Sequence, residues 1–62
     1  MEKVSESTLL RYGSVLKSNN FTTSRGFYTL RIISYEGQLY FHKMKDGNLV
    51  ELINLTEMEK RV

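Results

Sequence analysis

Arg31, His42 and Glu51 are the residues of this chain whose types and spacing could do acid–base chemistry. On three neighbouring antiparallel strands they would fall in one cross-strand row. A carboxylate beside an imidazole orients the ring and favours its protonated form. The same arrangement is also a routine cross-strand ion pair, worth ~0.2 to 1 kcal/mol. A chain of 62 residues offers no evident concave pocket to shut water out of a reaction. The row is therefore read as a device for orienting a contact, and the protein as non-enzymatic.

Composition narrows the chemistry further. With no cysteine and one histidine, the sequence has no disulfide framework, no thiolate site and no set of ligands for a zinc or iron centre. No cofactor is expected. Missing cysteines suit a reducing compartment, and "MEKVSESTLLRYG" lacks the basic start and continuous apolar run of a secretory leader. No window approaches the apolar length of a membrane span. The expectation is a cytoplasmic protein that does not engage membranes.

The net charge of +2 is weak, but its distribution is uneven. Between Arg11 and Lys45 the cations Arg11, Lys17, Arg25, Arg31, Lys43 and Lys45 face Glu36 alone, and the other acids lie toward the two ends. Phe21, Phe27, Tyr28, Tyr35, Tyr40 and Phe41 are interleaved with these cations. A nucleic-acid surface needs that combination of phosphate-binding charge and stacking rings.

The elements that must position these residues follow from periodicity. Leu9, Tyr12 and Leu16, flanked by Leu10 and Val15, predict an amphipathic helix over roughly residues 8 to 17, capped by Ser5 or Ser7 with Glu6 at its positive end. Gly13 opposes this, since a mid-helix glycine costs ~1 kcal/mol. The competing reading makes "TLLRY" and "SVLK" two short strands around that glycine. "SNNFTTSRG" reads as a loop, with Asn19 or Asn20 ending the helix.

From Phe27 the period becomes two, predicting strands at 27 to 35, 38 to 45 and 48 to 55. Asp46-Gly47, and more weakly Glu36-Gly37, supply two-residue hairpin turns. "TEME" then suggests a short helical tail with Thr56 as cap and Glu59 reaching back to it. The predicted fold is one α+β domain over residues 1 to 62, an amino-terminal helix packed on a three-stranded antiparallel meander.

Two-residue turns set Tyr35 opposite Gln38 and Lys45 opposite Asn48, and every other pairing follows by counting. One face then carries Leu30, Ile32, Leu39, Phe41, Val50 and Leu52, with Tyr28 and Lys43 toward an edge; it is taken as the core, covered by Leu9, Tyr12 and Leu16. The other carries the rows Ile33–Tyr40–Ile53, Arg31–His42–Glu51 and Thr29–Met44–Leu49. One helix cannot cover both, so the second face is expected to be open unless the terminal segments fold over it.

Two function classes remain. The first is a small regulatory or inhibitory protein that binds a larger protein, or itself, through that second face or a sheet edge. Its anchors would be Ile33, Tyr40, Ile53, Met44 and Leu49, oriented by Arg31, His42 and Glu51. The second is nucleic-acid binding through Lys17, Arg25, Arg31, Lys43 and Lys45 with nearby rings.

Overall fold

The computed structural model describes residues 4–60. It is an α+β fold in the order α1 (Glu6–Tyr12), β1 (Ser14–Thr23), β2 (Gly26–Tyr35), β3 (Gln38–Lys45), β4 (Asn48–Asn54) and α2 (Leu55–Lys60). The strands form one antiparallel sheet in sequence order, β1-β2-β3-β4. The sheet therefore has four strands where three were expected.

The extra strand comes from dividing the predicted helix. Ser5 caps α1 by accepting the Thr8 N–H at 3.2 Å, with Glu6 in the favourable first turn. The helix stops at Gly13, whose N–H donates to the Leu9 carbonyl at 2.9 Å, and β1 starts at the next residue. A side chain at position 13 would place its Cβ 2.6 Å from both Ile33 Cγ2 and the Leu9 carbonyl oxygen. Glycine is needed there because the chain turns directly against β2. Both readings of residues 8 to 17 were thus half right. The predicted loop "SNNFTT" is the rest of β1, and its polarity hid it because every residue of that strand is exposed.

The two later hairpins match the sequence reading. Glu36 and Gly37 have φ of 48° and 75°, and Asp46 and Gly47 have 51° and 83°, the positive pairs that a twisted hairpin requires. Asp46 also clasps the start of β2: its N–H donates to the Phe27 carbonyl at 2.7 Å and its Oδ1 accepts the Phe27 N–H at 2.9 Å. Tyr35 opposes Gln38, Ile33 opposes Tyr40 and Arg31 opposes His42, as counted.

Register departs from the count in β4. Lys45 opposes Asn48 and Met44 opposes Leu49, but Lys43 then opposes Glu51, so Val50 is the extra residue of a bulge. Beyond it His42 faces Leu52, and Tyr40 faces Asn54. Every β4 side chain after the bulge is therefore on the opposite face from the one predicted. A second irregularity between Val15 and Lys17 leaves Leu16 unpaired in β1.

The core lies on the face expected to be open. Leu9 and Ile33 are fully buried, with Tyr40 beside them and Val4, Tyr35 and Leu52 packed around. Of the residues assigned to the core face, only Leu52 is among them, and it changed sides through the bulge. Tyr12 and Leu16 were expected to cover the core, yet they are 68% and 60% exposed. The helix ends at Tyr12, so neither residue reaches over the sheet.

Asn54, not Thr56, caps α2, its Oδ1 accepting the Glu57 N–H at 2.8 Å. Thr56 Oγ1 is used elsewhere, accepting the Leu39 N–H at 2.9 Å and so tying α2 to the start of β3. The predicted reply from the Glu59 side chain lies outside the described residues.

Candidate interaction surface of the sheet

The covered face holds a cluster of polar side chains inside the molecule, around His42. His42 is fully buried; its Nε2 is 2.7 Å from Glu6 Oε2 on α1, and its Nδ1 is 3.3 Å from Arg31 Nη1. Arginine has only donors to offer, so Nδ1 must accept and the ring proton sits on Nε2, donated to the Glu6 carboxylate. This arrangement pins α1 to the sheet. Arg31 Nη1 also lies 3.6 Å from Met44 Sδ. Among the described residues every buried side-chain N and O atom is hydrogen-bonded, and no three of His, Cys, Asp and Glu converge.

Glu51 is not part of this cluster. The bulge moves it across the sheet to stand opposite Lys43, and Glu6 takes the position the sequence reading gave it. The Arg31–His42–Glu51 row therefore does not form. No signal in the sequence marks Glu6 as the partner, because that contact spans most of the chain.

The other proposed anchors divide in the same way. Ile33 and Tyr40 are core, Met44 is half-buried beside Arg31, and Leu49 is exposed where it pairs with Met44 at the start of β4. Ile53 faces the opposite side, opposite Phe41. At the turn next to the core, partial burial raises the Tyr35 phenol above its ordinary pKa, and the adjoining Glu36 carboxylate adds to the shift.

The uncovered face is built from rows that run across all the strands. Register places Lys17, Ile32, Phe41 and Ile53 in one row, Asn19, Leu30, Lys43 and Glu51 in the next, and Phe21, Tyr28, Lys45 and Asn48 in a third. Leu39 and Ser34 extend it at the far end. None of these apolar residues is buried, and Leu39 and Phe21 are exposed. The centre is aliphatic, with Phe41 in the middle, and forms part of a shallow depression lined by Lys17, Asn19, Leu30 and Ile32.

The charged end of this face has its own geometry. Phe21 and Tyr28 stack with centroids 5.4 Å apart, and the ammonium groups of Lys43 and Lys45 lie 5.4 and 6.0 Å from the Tyr28 centroid. Three of the five cations proposed for phosphate contact, Lys17, Lys43 and Lys45, thus share one face. Arg25 sits in the exposed β1–β2 turn, and Arg31 is on the covered side against His42.

No helix among the described residues is long and apolar enough to cross a membrane. Comparison with protein-family models, curated proteins and solved structures finds no match to this chain.

Proposed function

We propose that this chain is a small non-enzymatic regulatory or inhibitory protein that works by binding a protein surface, that of a larger partner or of another copy of itself, through the uncovered face of its sheet. The observation that carries the reading is that Leu30, Ile32, Leu39, Phe41 and Ile53 share that face and none of them is buried. A contiguous apolar patch rimmed by charge is the ordinary mark of an interaction site. The interface is the reverse of the one the sequence suggested, because α1 occupies the other side.

Site-specific cross-linking tests this directly. A photoreactive residue in place of Phe41, activated in expressing cells, should give a discrete protein adduct, whereas the same residue in place of Leu49 on the opposite face should not. Equal labelling from both positions, or from neither, would remove the basis for a face-specific interface.

A second reading, nucleic-acid binding, is favoured by the gathering of Lys17, Lys43 and Lys45 with Phe21 and Tyr28 on this face. It ranks lower because Tyr28 already stacks on Phe21 and carries both ammonium groups, leaving little ring surface for a base. If it holds, Lys43→Ala with Lys45→Ala lowers affinity for a single-stranded oligonucleotide and flattens the log–log salt slope by about 1.4. An unchanged slope rules those lysines out as phosphate contacts.

A further inference from the structure

Resting on that reading of the face, we infer that its occupant is a second copy of this chain, packed sheet to sheet about a two-fold axis that runs along the strands. Size is the first argument. Four strands at ~4.8 Å spacing and about seven residues at ~3.3 Å each make a face of ~19 by ~23 Å, on the order of 400 Å² in projection and more in accessible area. Covering it on two copies buries on the order of 1,000 Å², about where specific interfaces begin. An identical face covers its partner completely, with no overhang.

The second argument is the need for a permanent cover. Among the described residues Leu9, Ile33 and Tyr40 form the buried apolar core, which is little for a chain of this length. A cover always present in equal amount is another copy.

Charge complementarity then selects the axis. Lys17 lies on the outer strand β1 and Glu51 on the other outer strand β4, both on the open face and both exposed. A two-fold axis across the strands would lay β1 on β1 and β4 on β4, setting Lys17 beside Lys17 and Glu51 beside Glu51 of the other copy. An axis along the strands lays β1 on β4 and β2 on β3. Lys17 then reaches Glu51 of the second copy one row away, and Tyr28 lies over its Lys45. The aliphatic centre, Ile32 and Phe41, meets itself in either case, so the rim charges make the choice.

Sedimentation equilibrium on the full chain over a range of concentrations tests both parts. The expected mass is twice the chain mass of 7.3 kDa. Lys17→Glu or Glu51→Lys alone should weaken the dimer about tenfold, because symmetry counts each repulsive pair twice. Combining the two should restore affinity to within about threefold. Circular dichroism checks that the variants keep the fold.

A monomer at every concentration overturns self-pairing. If Phe41 then cross-links to a different protein, the interface reading stands without its occupant; if it gives no adduct, both fall. A dimer that ignores the reversals, or that the double variant does not restore, overturns the along-strand arrangement.

Discussion

His42 is the residue whose chemistry the fold commits most completely. It is fully buried, donates to Glu6 and accepts from Arg31, so each ring nitrogen has one partner and one role. That commitment makes it structural, since no lone pair or proton is left to offer a substrate. Removing the acceptor should therefore cost stability: Glu6→Ala leaves a buried N–H without a partner and is expected to lower unfolding free energy by ~1 to 3 kcal/mol in a urea titration. Glu6→Gln should cost less, because its amide oxygen still accepts. If Glu6→Ala matched the parent protein, the pin between α1 and the sheet would carry no weight.

At the scale of elements, the two bulges decide which side of each outer strand faces in. Val50 is the residue that β3 does not pair, so its deletion should leave an unbroken ladder with the same pairings and the same faces. The shortened protein is expected to keep its circular dichroism spectrum and unfold within a few degrees of the parent. Deleting Lys43 from β3, which is paired on both sides, should abolish the fold. Loss of structure on deleting Val50 would mean that the bulge itself is required. These elements also mark how far the sequence could be read. Asp46-Gly47 and Glu36-Gly37 announce their turns because few residues tolerate positive φ, and the β2–β3 register follows from them. Val50 announces nothing, since an apolar residue in a bulge looks like one in a ladder. Both sheet faces are apolar, so the choice between them rests on where α1 lies. That depends on the close contact of Gly13 with Ile33, a tertiary fact, and it is why the face carrying Ile33 and Tyr40 was expected to be open when it is the covered one.

For the whole molecule, the balance is between a thin core on one side and a bare apolar sheet on the other. α1 is only seven residues long and shields little more than Ile33, Tyr40 and His42. On the self-pairing proposed above, covering the open face would add to stability by mass action. The sequential strand order has a kinetic consequence. Each strand pairs with the one just before it, across turns of two residues, and α1 joins β1 through Gly13 alone. Little loop-closure entropy stands in the way of strand pairing, so the sheet is expected to form on the order of milliseconds, while docking of α1 onto it waits for the distant contact of Glu6 with His42. The monomer would form before it meets another molecule, and encounter, which depends on concentration, would set the pace of assembly.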